Sequence, residues 1–177
     1  MWDIRHETPA DAQAIEELAE HCFGPGRFAK SAYRLREGVA PDPELGFVAI
    51  EESAFRGSVR FWPVFVGAGP ALLLGPLAVQ SDQRGRGIGI ALMNRGIEEA
   101  RARGHRAIVL VGDPPYYARV GFSAVVRGRI KFPGPVDPAR VLGLALADGA
   151  LDALEGLVRR ARLDDPVCAD GAPLGPT

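Results

Sequence analysis

The sequence predicts a mixed α/β fold, in which one sheet combines a hairpin with strands that lie before and after a helix. The almost wholly apolar run 72–79 is typical of a central strand that is buried on both faces. The segment 87–103 carries apolar residues at three- and four-residue spacing, which predicts a helix with one buried face. Runs 45–51 and 54–66 are strand-like and too close together for any connection except a hairpin turn.

The remaining elements follow from shorter patterns. Thr8 and Pro9 have the residue types of a helix N-cap and a first helical position, so a helix is predicted after a first strand at 2–5. Gly104 stands where a glycine cap would end the helix 87–103. Beyond these, we expect a helical stretch at 29–36, a buried strand at 107–111, a helical turn at 116–120, a strand at 125–132 and a terminal helix at 151–163.

Length and composition favour one globular domain. The chain has 177 residues, of which 47% are hydrophobic, enough for one sizeable core but few for two. We therefore expect a single domain over 1–165 and a flexible tail over 166–177, where Pro, Gly and Ala predominate. No apolar run reaches about 18 residues and the N-terminus lacks the layout of a signal peptide, so the expected location is the cytoplasm.

Charge and side-chain types argue against several classes of partner. The formal net charge is -1 and the pI is about 6.3, so no overall positive field would hold nucleic acid or an anionic membrane, and neither is an expected partner. Cys22 and Cys168 are far apart in sequence, and the three histidines are scattered without the spacing of metal ligands. We therefore expect free thiols and no metal site.

A glycine-rich turn at 83–89 connects the strongest strand to the strongest helix, and its sequence is Gln-Arg-Gly-Arg-Gly-Ile-Gly. Glycines let the backbone approach a ligand closely, and the unpaired amides of a first helical turn carry a partial positive charge. Such a turn suits a pyrophosphate group. The side chains of Arg84 and Arg86 would add electrostatic attraction.

Other interpretations of this turn fit less well. A dinucleotide-binding fold requires Gly-x-Gly-x-x-Gly in its first strand–helix unit, whereas this turn lies mid-chain and has the spacing Gly-x-Gly-x-Gly. A Walker phosphate loop ends in Gly-Lys-Ser or Gly-Lys-Thr, whereas Ile90 and Ala91 follow here. A tight turn without any ligand is the structural alternative, and it would explain one or two of the glycines.

The stretch from Leu72 to Phe122 resembles the coenzyme A-binding core of the GNAT acetyltransferase superfamily. The signature of that core is Gln or Arg, two residues, Gly, one residue, and Gly or Ala, and Arg84, Gly87 and Gly89 match it. The resemblance implies a central mixed sheet with splayed middle strands flanked by helices. It also implies acetyl-CoA as cosubstrate, with its pyrophosphate at the glycine turn.

The resemblance places the pantetheine arm of coenzyme A along the strand 72–79. Gly75 and Pro76 within this strand independently indicate a bulge where pairing stops, because proline cannot donate to a strand ladder. The residues implied to contact the cofactor are Leu77, Ala78, Val79, Arg84, Gly85, Arg86, Gly87, Ile88, Gly89, Ile90, Asp113 and Tyr116.

A second match to the family lies downstream, in the pattern Tyr117-x-x-x-Gly121-Phe122. The resemblance implies that the Tyr117 hydroxyl stands near the sulfur of coenzyme A. A phenol is protonated at neutral pH and can donate its proton to a departing thiolate, so Tyr117 is the predicted catalytic acid. The structural alternative is a packed core tyrosine. Asp113 occupies a position where the family often has asparagine, and a helix cap before Pro114 is its expected role.

The sequence leaves the general base open. Many family members carry a glutamate on the strand that corresponds to 72–79, and this strand has no ionisable residue. Glu51 and Glu52 are alternatives, as is a chain of water molecules. A covalent route through Cys22 would need a histidine and an acidic partner, and the neighbouring His21 does not by itself supply that geometry.

The acceptor is likewise open. The segment 20–37 is rich in basic residues, namely His21, Arg27, Lys30, Arg34 and Arg36. This pattern points to an acceptor with a carboxylate or phosphate, but a solvated basic surface is its more common explanation. Segments 132–135 and 142–146 are similar to a subgroup of predicted acetyltransferases whose acceptors are generally unassigned.

The expected function is acetyl-CoA-dependent N-acetyltransfer, directly to the primary amine of a small molecule or a peptide. Transfer of a longer acyl group is one alternative. A non-catalytic module that senses acyl-CoA is another, since the central strand lacks the usual carboxylate. Exposed sheet edges near the C-terminus would make a homodimer reasonable.

Overall fold

The computed structural model describes residues 1–24 and 34–161, which share one mixed sheet of nine strands. The strands are β1 Asp3–His6, β2 Phe47–Glu51, β3 Ala54–Val66, β4 Gly69–Val79, β5 Ala107–Val111, β6 Ser123–Ala124, β7 Ile130–Lys131, β8 Val141–Ala145 and β9 Gly156–Arg160. The helices described are α1 Ala12–Phe23, α2 Ile88–Ala102 and α3 Pro114–Ala118, with single 3-10 turns at Pro9–Asp11, Ser81–Gln83 and Pro138–Arg140. The prediction of a mixed α/β fold is confirmed.

The strand order is β1-β2-β3-β4-β5-β8-β6, and β9 pairs with both β3 and β7. Neighbouring strands along the main path are antiparallel except for β4 and β5, which are parallel. The helix α2 makes the crossover between these two strands, as a parallel pair requires. This parallel pair therefore stands in the middle of the sheet.

Apolar side chains cover both faces of the sheet, which explains why its middle strands lack polar alternation. On one face, Leu72 and Leu74 of β4 join the cluster beneath α2. On the other face, Leu73 of β4 packs with Trp62 and Phe132. The helix α2 lies close to the sheet, because a Cβ on Gly96 would overlap the ring of Phe61.

The antiparallel pair of β3 and β4 contains the bulge that the sequence predicts at Gly75 and Pro76. Val59 is opposite Leu77 and Phe61 is opposite Leu74, so two residues of β4 face one residue of β3. The indole nitrogen of Trp62 donates a buried hydrogen bond to the carbonyl oxygen of Gly75. The bulge is thereby held from the opposite strand.

Most of the predicted elements are present in the structure. The hairpin of β2 and β3, the strand β5 and the helix α2 lie within one or two residues of their predicted bounds. The helix predicted after Thr8 is present as α1, which starts after the 3-10 turn Pro9–Asp11. The predicted strand at 125–132 is wrong in extent, because only Ile130–Lys131 and the preceding Ser123–Ala124 are strand. The helical stretch at 29–36 begins outside the described residues, and the tail 166–177 lies outside them entirely.

The terminal helix predicted at 151–163 is wrong over the residues that the structure describes. Residues 151–153 form a turn and Gly156–Arg160 forms β9, which pairs with Val64–Val66 of β3. The partner β2 covers only the first part of this edge of the long strand β3, so its last residues are open to a second partner. Gly156 has φ +124°, a conformation that side chains rarely adopt and that interrupts a helix.

The entry to α1 is fixed by a buried carboxylate. The side chain of Asp11, 9% exposed, accepts hydrogen bonds from the backbone N–H of Thr8 at 2.8 Å and from the guanidinium of Arg5 at 2.8 and 3.0 Å. These contacts, first of all the one with Arg5, lower the pKa of Asp11 from its usual value to about 2. The ion pair therefore links β1 to the helix that follows it.

None of the helices in the described ranges combines the length and the apolar composition that crossing a bilayer would require.

The Asp11→Asn variant should be less stable at neutral pH by roughly 1 to 2 kcal/mol. The loss is limited because Arg5 is half exposed, and solvent weakens its ion pair with Asp11. The folded-state pKa lies below the unfolded one, so the ionised group stabilises the fold above about pH 4 and this contribution is lost as the pH falls toward 2. Urea unfolding at several pH values measures the effect, with Glu98→Gln, an exposed acid on α2, as control. Equal pH dependence in the wild type and in Asp11→Asn would contradict this role.

Candidate active site

The strands β4 and β5 pair only over a short distance and then separate. Their ladder joins Leu72 to Ile108 and Leu73 to Val109, and β4 continues beyond it to Val79 while β5 ends at Val111. Beyond Leu73, the edge of β4 that faces β5 is therefore free of strand partners within the described residues. Free backbone N–H and C=O groups at such an edge can pair with an extended ligand that carries amides.

The glycine turn follows directly after this free edge. Gly85 and Gly87 have φ values of +82° and +88°, which side chains rarely adopt, and a Cβ on either would meet only open space. The first helical hydrogen bond of α2 runs from the N–H of Ala91 to the carbonyl of Gly87 at 3.0 Å. The amides at the start of α2 consequently have no helical acceptor and are available to an anion.

Gly89 is a glycine for a different reason. Its φ is ordinary, but a Cβ at this position would collide with the hydroxyl of Tyr116, and its next neighbours would be Val79 and Leu77 at 3.6 and 3.7 Å. The Tyr116 side chain thus reaches from α3 to the first turn of α2. Burial raises the pKa of Tyr116, while nearby Arg119 opposes this shift.

A groove of about 380 Å³ runs along the free edge and the turn. It is lined by most of the residues that the sequence assigns to the cofactor, namely Leu77, Ala78, Val79, Arg84, Gly85, Gly87, Ile88, Gly89, Ile90 and Tyr116, together with the predicted acid Tyr117. Four further residues, Cys22, Phe23, Gln83 and Arg119, line it as well. The groove therefore joins strand edge, helix start and tyrosine in one continuous surface.

The two arginines of the turn have different surroundings. Arg84 is exposed, lines the groove, and has its guanidinium 3.7 Å from the sulfur of Cys22. Arg86 does not line the groove, because its guanidinium forms two hydrogen bonds of 2.8 and 2.9 Å with the carboxylate of Glu51 and lies over the ring of Trp2. Arg84 is thus placed for direct contact with a ligand, whereas Arg86 anchors the turn to β2.

Tyr117 lies where the groove meets a second and larger cavity, and it lines both. Its ring packs beneath Gly112, where a Cβ would overlap it, and stands edge-on to the rings of Tyr116 and Phe122 at 5.2 and 6.2 Å. Among the described residues its hydroxyl has no hydrogen-bond partner. Burial is the main cause of a raised pKa for Tyr117, so the phenol holds its proton at neutral pH.

The larger cavity has a volume of about 750 Å³ and opens beside the bulge of β4. Its wall includes Leu74, Gly75 and Pro76 on one side and Val111 and Gly112 on the other. The charged residues that line it are Glu16, Arg36, Glu37, Arg60, Arg84, Asp113 and Arg140. It is large enough for a small molecule and polar enough to hold one in a fixed orientation.

The candidate bases of the sequence analysis lie away from this cavity. Glu51 and Glu52 line neither the cavity nor the groove. Hydrogen bonds from Arg86 lower the pKa of Glu51 to about 2, which makes its carboxylate a counter-ion and a poor proton acceptor at neutral pH. Cys22 lines the groove, and the sulfur lies 3.8 Å from the carbonyl oxygen of Val79. Within residues 1–24 and 34–161, no histidine or carboxylate lies within hydrogen-bonding reach of this sulfur.

Asp113 holds the N-cap position of α3, as expected, but its side chain makes no capping hydrogen bond. It lines the larger cavity and not the groove. The sequence does not identify Arg119, Trp62 or Arg140 as site residues, because none of them occupies a fixed position of a motif. The single signal for Arg140 is its place just before the apolar run 141–145, which pairs with β5.

Comparison with known proteins agrees with this architecture. The sequence model of the acetyltransferase (GNAT) family matches residues 12–122. The chain is 36% identical over 160 residues to the uncharacterized N-acetyltransferase YhbS of Escherichia coli strain K12, a match that covers 88% of this chain and 93% of that protein. It is 32% identical to YjhQ of the same strain, another uncharacterized N-acetyltransferase, over 71% of each chain.

Two crystal structures are similar in fold and sequence. The structure of Escherichia coli YhbS in complex with CoA has a TM-score of 0.74 and 33% identity, covering 90% of this chain and 89% of the other. A GNAT family acetyltransferase from Brucella melitensis in complex with acetyl-CoA has a TM-score of 0.66 and 28% identity, covering 91% and 96%. The family resemblance of the glycine turn is thus confirmed over most of the chain: this protein is an acyltransferase of the GNAT N-acetyltransferase family.

Proposed function

We propose that the protein binds acetyl-CoA in the groove and transfers its acetyl group directly to a primary amine held in the larger cavity. The observation that carries this proposal is the continuity of the free β4 edge with the amides that begin α2. The edge suits the amides of pantetheine, and the turn suits the pyrophosphate. The complexes of similar proteins with CoA and acetyl-CoA support the same cosubstrate.

The geometry suggests a division of roles in the reaction. The amine nitrogen forms a bond to the thioester carbonyl carbon, and the bond from that carbon to sulfur breaks. Tyr117 gives its proton to the departing sulfur and is reprotonated by the one proton that the neutral amine nitrogen loses, so the amide product keeps its remaining N–H. Tyr117 fits this role because it lies between groove and cavity and its pKa is raised.

The protein's location in the cytoplasm, its action without a metal and its assembly as a homodimer stay predictions of the sequence. A non-catalytic sensor of acyl-CoA would share the groove but would have no use for a second cavity beside Tyr117. The most informative assay is the release of free coenzyme A across a panel of amines and peptides, because a sensor binds acetyl-CoA without releasing the thiol.

Acetyl-CoA should raise the melting temperature by roughly 5 to 10 °C at a concentration about a hundredfold above its Kd, because it binds only the folded state. Differential scanning calorimetry measures this shift, with adenosine as the matched ligand that lacks pyrophosphate and pantetheine. Stabilisation by NAD or ATP without stabilisation by coenzyme A would contradict the assignment of the groove.

The Gly89→Glu variant should weaken binding of coenzyme A by a factor of roughly 100 or more, because its carboxylate would repel the pyrophosphate and its Cβ would strike the Tyr116 hydroxyl. Asn94→Glu adds the same charge on the exposed face of α2 and should bind normally. Isothermal titration distinguishes the two variants. Wild-type affinity in a folded Gly89→Glu variant would place the phosphate site elsewhere.

The collision at Gly89 can be tested separately from charge. Gly89→Ala should weaken binding, and adding Tyr116→Phe should recover much of the loss, since without the hydroxyl the new methyl group meets only ordinary contacts. The affinity of Tyr116→Phe alone is the reference for the double variant. No recovery would show that the hydroxyl is not what excludes a side chain here.

The Tyr117→Phe variant should lose roughly 10² to 10⁴-fold in turnover while its affinity for acetyl-CoA changes little, because the ring and its packing are kept. Single-turnover kinetics with an accepted amine measure the chemical step, and titration with acetyl-CoA measures binding. A single-turnover rate of Tyr117→Phe close to that of the wild type would show that Tyr117 contributes packing and not the proton.

A further inference from the structure

The wall of the larger cavity next to Tyr117 carries two opposite charges that do not pair with each other. Arg140 and Asp113 line this wall on either side of Gly112. The N–H of Gly112 donates to the carbonyl oxygen of Arg140 at 2.9 Å, and the Nε of Arg140 lies 3.4 Å from the carbonyl oxygen of Gly112. This contact holds the Arg140 side chain against the end of β5.

The outer nitrogens of Arg140 and the carboxylate of Asp113 have no ion-pair partner within residues 1–24 and 34–161. Arg60, which lines the same cavity, differs in this respect, because its guanidinium donates hydrogen bonds of 3.0 to 3.2 Å to the carboxylate of Glu7. Both Arg140 and Asp113 are exposed, so a ligand can reach them. One anion-binding group and one cation-binding group are therefore available to a ligand in this cavity.

Both groups also act on the predicted catalytic acid. Arg140 lowers the pKa of Tyr117 and Asp113 raises it, in addition to the larger effect of burial. Asp113 and Arg140 line the same cavity as Tyr117, so both charges border the space that the phenol faces. A ligand bound between them would consequently present its own charged groups beside Tyr117, at the junction with the groove.

We propose that the acceptor is a small amine that also carries a carboxylate, with the carboxylate bound by Arg140 and the amino group near Asp113. This inference rests on the proposed acetyl transfer and adds the chemical class of the acceptor. A guanidinium binds a carboxylate through two parallel hydrogen bonds, which fixes its orientation. Asp113 attracts the protonated form of the amine and brings it to Tyr117, and water then removes its proton.

The test compares matched acceptors that differ only in the carboxylate: amino carboxylates, their carboxamides, and the amines that lack the group. The wild type should favour the carboxylates by about 10- to 100-fold in kcat/KM, measured by thiol release. Arg140→Gln should reduce this preference to within about threefold and leave the KM for acetyl-CoA unchanged. Arg140→Lys keeps the charge but not the paired bonds and should retain a part of the preference.

Arg127→Gln is the matched control, because Arg127 is exposed and lines neither the groove nor the cavity. It should keep the full preference. Equal kcat/KM for carboxylates and carboxamides, or a preference for peptides or phosphate-bearing amines, would overturn the proposed acceptor class while acetyl transfer itself stood.

Binding of the acceptor can also be measured without turnover, through its effect on the melting temperature. In the presence of saturating coenzyme A, amino carboxylates should raise the melting temperature of the wild type and of Arg127→Gln but not of Arg140→Gln. The melting temperature of each variant without acceptor reports its folding. If no amino carboxylate stabilised the loaded protein, the inference would be overturned; if thiol release also failed with every amine, the proposed acetyl transfer would fail with it.

Discussion

The site depends on the early separation of two parallel strands in the middle of the sheet. Pairing between β4 and β5 stops after Leu73, and β4 continues for six more residues with one edge free. The separation is stable because β3 still pairs with β4 across the bulge, β8 holds β5 from its other side, and apolar side chains cover both faces. A sheet that is complete everywhere else can therefore leave backbone hydrogen-bonding groups unpaired at one place.

The residues around this opening have distinct physical tasks. Gly85 and Gly87 supply backbone conformations that leave the first amides of α2 open. Tyr116 fixes the distance between α3 and α2, because its hydroxyl occupies the space of a Cβ on Gly89. Glu51 neutralises Arg86 and ties the turn to β2, which leaves Arg84 as the arginine of this turn that faces the groove. Backbone geometry and ion pairing thus shape the groove together.

Local patterns in the sequence predicted the parts of the site whose chemistry is local. The glycine turn, the bulge at Gly75 and Pro76 and the short helix with Tyr117 each need particular residue types at neighbouring positions. Arg140 could not be found in this way, because strand pairing alone brings it next to Gly112. Contacts distant in sequence also explain why the helix predicted at 151–163 is wrong. Leu151, Leu154 and Val158 have helical spacing, but the open edge of β3 and the backbone conformation of Gly156 favour a strand.

A crystal structure of the protein with acetyl-CoA would test the central claim most directly. The account predicts that the pyrophosphate contacts the amides from Gly87 to Ile90 and that the pantetheine amides pair with β4 between Leu77 and Val79. It also predicts a thioester sulfur within about 4 Å of the Tyr117 hydroxyl, close enough for proton transfer. Acetyl-CoA bound outside this groove, or a sulfur on the far side of β4 from Tyr117, would contradict it.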